Sequence, residues 1–222
     1  MGKTAIILGA TGLTGGLLLQ RLLNDERYSK IKLFSRTKCG IIDTKIEEHL
    51  MDLFKLEDYK NEFIANDVFC CIGTTKAKTK DQDIYLKIDY GIPVAAAKLS
   101  AENSIENFIV ISALGANKDS KIFYNRTKGN METQVLAQKI LRIYILQPSL
   151  IGGKRDEKRI GEQLGKQIMK LLKPLLFGDL KKYRAILPET IVDTMIWLAN
   201  NEYESGRIES DVIQQISDYK TH

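Results

Sequence analysis

The stretch Thr4-Ala5-Ile6-Ile7-Leu8-Gly9-Ala10-Thr11-Gly12-Leu13-Thr14-Gly15-Gly16, followed by Leu17-Leu18-Leu19, decides how the chain folds. Residues 5–8 are a short apolar, β-branched run of the kind that forms a buried strand, and the leucines beyond recur on one helical face as far as Leu23. Glycines at a spacing of three join the two. The expected unit is a strand, a glycine-rich turn and a helix. The first turn of such a helix leaves backbone N–H groups unpaired, and the positive end of the peptide dipoles points to the same place, which suits an anion. In a dinucleotide-binding unit one glycine permits the tight turn, one lets the pyrophosphate approach the backbone, and one lets the helix pack closely on its strand. Gly9, Thr11, Gly12, Leu13, Thr14 and Gly15 are the candidates for these contacts. The spacing G-x-x-G-x-x-G departs by one residue from the G-x-G-x-x-G fingerprint, and alone it also fits an ordinary loop entering a buried helix.

A chain of 222 residues can bury one sizeable core, and nothing in it forces a second. We expect one domain over 1–222, with 150–222 forming a small, mostly helical part on the substrate side. With 44% hydrophobic and 27% charged residues the composition is that of a soluble protein, and no apolar run reaches the roughly 18 residues of a membrane helix. Met1-Gly2-Lys3 leads straight into the first strand without room for a signal peptide, so the expected location is cytoplasmic. The net charge of +5 is spread along the chain and mixed with acids, which reads as a solvated surface rather than a nucleic-acid footprint. Cys39, Cys70 and Cys71 have no metal-type spacing, and two adjacent cysteines on a strand point to opposite faces. No metal site is expected, and the lone histidines His49 and His222 receive no role.

Strand-like runs at 5–8, 31–34, 45–50, 68–72, 108–111 and 143–146 alternate with helical patterns at 13–24, 54–63, 82–102 and 123–139. Alternation of this kind produces a parallel sheet covered on both faces. Pro93 should kink or restart the third helix, which Asp81 is placed to cap. Beyond 146 come a charged run at 154–159, a helix over 160–172, a short segment over 183–187 and a helix from Pro188 to Asn200. The right-handed crossover rule makes the fold class α/β with a doubly wound parallel sheet, whose ligand lies outside the carboxyl ends of the strands.

Chemistry is therefore sought just after strands. After the second strand, Ser35-Arg36 stands where an NAD-binding fold usually has an acidic residue for the ribose 2′-hydroxyl. A guanidinium there suits the additional phosphate of NADP, so NADP(H) is expected to be preferred, with NAD(H) as the other dinucleotide. Asp52 and Leu53, after the third run, are placed near the adenine. Ile72, Gly73, Thr74 and Thr75, after the fourth, are small enough for a cofactor to lie across the strand ends. After the fifth strand comes Ser112, and a helix then opens with Tyr124-Asn125-Arg126-Thr127-Lys128. Residues four apart share a helix face, so the phenol and the ammonium can meet one ligand. A neighbouring ammonium favours phenolate and would bring a phenol of ordinary pKa about 10 toward working range. Lys128 can also reach ribose hydroxyls, while Ser112 can donate to a substrate oxygen. Tyr28 and Lys32 repeat the spacing but enter the second strand from the wrong end, so context selects Tyr124.

With these residues in place the chain resembles the short-chain dehydrogenase/reductase family in its extended or atypical branch, close to the HIV Tat-interacting protein subgroup. The resemblance is carried by Gly9 to Gly15, Cys70 to Thr75, Asp89-Tyr90, Ser112 to Ala116, Tyr124 with Lys128-Gly129, and Gln147-Pro148-Ser149. It extends through Arg155, Arg159-Ile160-Gly161-Glu162 and Tyr183-Arg184-Ala185-Ile186. It implies a Rossmann-type fold, NADP(H) binding, catalytic roles for Ser112, Tyr124 and Lys128, and a turn at Pro148 and Ser149 against the nicotinamide. Relatives often carry a second serine where Ala113 stands and an arginine where Gln147 stands. The expected function is NADP(H)-dependent hydride transfer between nicotinamide and a small carbonyl or alcohol. The expected partner is a small-molecule substrate, with no nucleic acid or membrane, and a homodimer is allowed. A regulatory or redox-sensing NADP(H)-binding module with a protein partner is the alternative. Sugar-nucleotide epimerisation ranks last, because the short C-terminal part leaves little to grip a nucleotide sugar.

Overall fold

Why the strands read as unbroken apolar runs is plain from the computed structural model, which describes residues 2–152 and 178–219. Strands β1 (Lys3–Leu8), β2 (Tyr28–Ser35), β3 (Ile46–Leu50), β4 (Asp67–Cys70), β5 (Asn107–Ile111), β6 (Arg142–Gln147) and β7 (Gly206–Glu209) form one sheet in the order β3-β2-β1-β4-β5-β6-β7. Every pairing is parallel. Ala5 and Ile7 point into one core and Ile6 and Leu8 into the other, so each strand must be apolar on both sides. Cys70 and Cys71 likewise pack in opposite layers.

One layer is built on α1 (Leu13–Leu23), whose Leu18, Leu19 and Leu22 are buried against the sheet. The other layer uses the run α2 (Gln82–Leu86), a π-helical turn over Lys87–Gly91 and α3 (Ile92–Glu102), together with α4 (Phe123–Leu136). Asp81 caps α2 by accepting from the amides of Asp83 and Ile84. Pro93 sits in the first turn of α3, where its missing donor is harmless, and the π-helical turn absorbs the restart.

Two expectations are corrected here. The helix expected over 54–63 is instead a pair of 3₁₀ turns, Leu53–Tyr59, broken at Lys55. The C-terminal part adds a strand, β7, which lies on β6 because Ile208 fills the sheet face there, and it is followed by α6 (Ser210–Tyr219). These pack with α5 (Pro188–Asn200) on the α1 side. The charged run at 154–159 and the helix expected over 160–172 lie outside the described residues. Among the described residues no helix is long and apolar enough to cross a membrane.

The order reverses between β1 and β4, and this opens a crevice at the carboxyl ends. The opposite end of the sheet is closed by a buried polar network. Asp67, fully buried at the start of β4, accepts from the Tyr28 hydroxyl at 2.7 Å and from the Asn107 amide at 2.6 Å, and it pairs with the Lys3 ammonium at 3.0 Å. Burial and the Asp67 charge both push the Tyr28 phenol up, which keeps it a donor. Tyr28 therefore serves the sheet, at the end away from the crevice. Asp67→Ala leaves the Tyr28 hydroxyl without its acceptor and Lys3 without its counter-charge, although Lys3 keeps the Ala199 carbonyl at 2.7 Å, and it is expected to lower unfolding free energy by about 3 kcal/mol in urea titrations. Wild-type stability in that variant would contradict the network's role.

Candidate dinucleotide crevice and its tyrosine–lysine wall

The crevice begins where β1 stops. Gly9 turns the chain at φ +89°, and a side chain there would strike the Cys71 carbonyl oxygen at 2.9 Å. The Gly12 N–H returns to the Gly9 carbonyl at 3.0 Å, and α1 starts at Leu13. A Cβ on Gly15 would lie 2.2 Å from the Gly9 carbonyl oxygen, so only glycine lets the helix come this close to its own loop. Gly12 caps α1 without a side chain, and the first turn holds no acidic residue. The amides of Leu13, Thr14 and Gly15 belong to that first turn, which leaves its N–H groups without intrahelical acceptors. An anion meets no competing carboxylate there.

Gly9, Thr11, Ser35, Arg36, Thr37, Leu53 and Ile72 line one cleft of about 280 Å³. Of the expected cofactor residues, the cleft thus gathers Gly9, Thr11, Ser35, Arg36, Leu53 and Ile72 from four separate loops. Ser35 is buried and donates to the Thr37 carbonyl at 2.7 Å, shaping the turn that presents the exposed Arg36. Among the described residues the Arg36 guanidinium makes no salt bridge. Asp52, expected beside the adenine, does not line the cleft. Its carboxylate accepts from the Phe54 amide and starts the 3₁₀ turn that holds Leu53 in place.

The next residue after Ile72 connects this cleft to the expected chemistry. Gly73 lies against a buried ion pair, with its Cβ position 3.6 Å from Asp89 Oδ1 and 3.9 Å from Lys128 Nζ. Thr74 donates its N–H to Asp89 Oδ2 at 2.8 Å and its hydroxyl meets Thr79 at 2.9 Å, while the Thr75 carbonyl accepts from Lys78 and Thr79. Asp89, from the π-helical turn, and Lys128, from α4, approach to 2.9 Å at 1% and 5% side-chain exposure. Tyr124, one turn before Lys128, remains 40% exposed. Tyr85, from α2, packs edge-on to Phe123, the residue before Tyr124.

The electrostatics differ from expectation. Burial pushes the Tyr124 phenol up, Lys128 pulls it down, and Asp89 pushes it up again, so the net direction is up. The ammonium was expected to bring the phenol toward neutrality, and burial of the phenol, helped to a lesser degree by the Asp89 charge, prevents that. Burial pulls the Lys128 ammonium down, but Asp89 and, less strongly, Tyr124 outweigh it. Lys128 stays charged.

Ser112 is brought to the same region at the end of β5, yet its hydroxyl donates to the buried Glu132 at 2.5 Å. Glu132 also accepts from Gln147 at 2.8 Å and from Arg207 at 2.5 Å. Arg207, on β7, thus supplies a guanidinium to the carboxylate that Gln147 also meets. The Pro148 carbonyl accepts from Leu114, and Ser149 donates to the Arg184 carbonyl, so this turn is tied to the C-terminal part. Asp89, Glu132 and Arg207 were given no role from sequence. Glu132 falls one turn beyond Lys128 on the same face, a readable signal. Arg207 had none.

The class defined by this order of strands and this glycine turn is a Rossmann-type dinucleotide-binding α/β protein. No family model matches the chain. Among curated relatives, rat HTATIP2 is 32% identical over 169 residues, covering 74% of this chain and 69% of that protein. FMP52, mitochondrial, of Debaryomyces hansenii is 28% identical over 214 residues, covering 91% and 90%. MoeE5 in complex with UDP-glucose and NAD superposes with a TM-score of 0.66 at 15% identity, covering 98% and 82%. The chain belongs to the atypical short-chain dehydrogenase/reductase family and resembles HTATIP2 within it. The expected cytoplasmic location does not stand, because the FMP52 relatives are named mitochondrial.

The glycine contact can be tested without any ligand. Gly15→Ala places a methyl on the Gly9 carbonyl and is expected to cost on the order of 1–3 kcal/mol in denaturant unfolding. An unchanged midpoint would mean that the turn is looser than described.

Proposed function

We propose that the chain is an NADP(H)-dependent oxidoreductase acting on a small carbonyl or alcohol, with Tyr124 as proton donor and acceptor. The observation that carries this reading is the continuity of the crevice. The same run of residues that lines the cleft at Ile72 touches the Asp89–Lys128 pair at Gly73, next to an exposed phenol. A dinucleotide fits the donors present: first-turn amides of α1 for the pyrophosphate, Arg36 for a 2′-phosphate, and Lys128 near the ribose. MoeE5, of the same fold, holds NAD. When bound, NADPH supplies the hydride.

The chain's own residues do the rest. An ammonium has three donors, so Lys128 can keep Asp89 and still reach a ribose hydroxyl. Tyr124 gives its proton to the carbonyl oxygen as negative charge develops there. Ser112 assists only by leaving Glu132, so Tyr124 is the donor already available. Pro148 and Ser149 are assigned to the nicotinamide side, and Thr11, Gly12, Leu13 and Thr14 to the phosphates.

Tyr124→Phe is expected to lower NADPH consumption, with a responsive carbonyl compound from a substrate panel, by about 10²–10⁴-fold while leaving the NADPH Kd unchanged. An unchanged rate rejects the mechanism. Arg36→Ala is expected to weaken NADPH by about tenfold without weakening NADH, read by fluorescence titration. A wild-type protein that binds NADH as tightly as NADPH removes the preference. The regulatory reading draws on one specific observation, that Ser112 and Lys128 are both already engaged by carboxylates. It predicts tight NADPH binding with no carbonyl turned over.

A further inference from the structure

The buried carboxylate facing Lys128 is unused by the mechanism above. Asp89 is 1% exposed, and the π-helical turn brings it inward between α2 and α3. One oxygen is fixed by the Thr74 amide, whereas Oδ1 faces the Lys128 ammonium, 2.9 Å away. Among the described residues, the remaining titratable groups around the phenol are few. Tyr85 comes from α2 and feels both Asp89 and Tyr124, and Cys70 at the end of β4 is pushed up to about 11 by burial. Both are neutral near pH 7. Glu132, one turn beyond Lys128, is matched by Arg207. Among the described residues, the charges nearest Tyr124 are therefore one ammonium and one carboxylate.

We infer that Asp89 is a positioning residue that neutralises Lys128, so that Tyr124 meets its substrate as a neutral phenol and the site is set for reduction. This rests on the proposed function. In the reducing direction the Tyr124 proton goes to the carbonyl oxygen while the carbonyl carbon takes hydride from NADPH. The C=O π pair becomes the new O–H bond, NADP⁺ is left, and solvent reprotonates the phenolate. The opposite direction needs phenolate first, and a phenol pushed up by burial, beside an ammonium offset by Asp89, does not supply it at neutral pH.

The test uses the full chain labelled at tyrosine Cζ with ¹³C, titrated by NMR without cofactor or substrate, the Tyr124 signal being assigned by its loss in Tyr124→Phe. Asp89→Asn, whose amide oxygen can still accept from Thr74, is expected to move the Tyr124 midpoint to lower pH. Since Asp89→Asn leaves a buried ammonium unpaired and can fail to fold, a double variant, Asp89→Asn with Lys128→Met, removes both charges together. It is expected to titrate close to the wild type, and Lys128→Met alone above it. A wild-type midpoint well below that of the double variant, or an unmoved midpoint in Asp89→Asn, overturns the inference. None of these readings requires turnover. If they come out as stated while Tyr124→Phe still reduces substrate, it is the proposed function that has failed.

Discussion

The closeness of α1 to its own loop is the constraint on which the crevice depends. At Gly15 a single methyl would sit 2.2 Å from the Gly9 carbonyl oxygen. That contact sets the start of the helix directly above the end of β1, so that first-turn amides face the point where the strand order reverses. The apolar sheet supplies rigidity from beneath, with Ile7 and Leu8 fully buried in opposite layers. Loops after β2, β3 and β4 then deliver Arg36, Leu53 and Ile72 to one cleft without any of them being near in sequence.

A second constraint sits at the other end of the crevice. A buried ammonium needs a counter-charge or hydrogen bonds to remain ionised, and Lys128 obtains it from Asp89. The pair joins the loop after β4, through the Thr74 amide, to α4, which carries Tyr124. One interaction thereby fixes the spacing between the cleft at Ile72 and the Tyr124 phenol. Ser112 is fixed in the same manner through Glu132, which Arg207 ties to the last strand. The site is thus braced by carboxylates that do not themselves face the crevice.

Local features were readable from the chain. Residues 5–8, 108–111 and 143–146 show the unbroken apolar runs that burial on both faces demands, and Tyr124 with Lys128 shows the one-turn spacing of a shared helix face. Features that arise from contacts were not. β7 is Gly-Arg-Ile-Glu, with one apolar residue, and becomes a strand by pairing with β6. The 3₁₀ turns at Leu53–Tyr59 carry the same periodicity as a helix, but Lys55 breaks the backbone. The role of Asp89 depends on a π-helical turn and a partner 39 positions away on another helix, and burial of the phenol, with a smaller push from Asp89, outweighs the pull of Lys128 and reverses the direction in which the phenol was expected to titrate. Asp52 was placed beside the adenine by its position after a strand, yet it caps a turn.

The most direct test of the account is a crystal structure of the chain soaked with NADPH. The account predicts the pyrophosphate on the amides of Leu13 to Gly15, the 2′-phosphate on Arg36, and the nicotinamide beside Tyr124. Density for the dinucleotide elsewhere, or a crevice left empty at saturating NADPH, would contradict it.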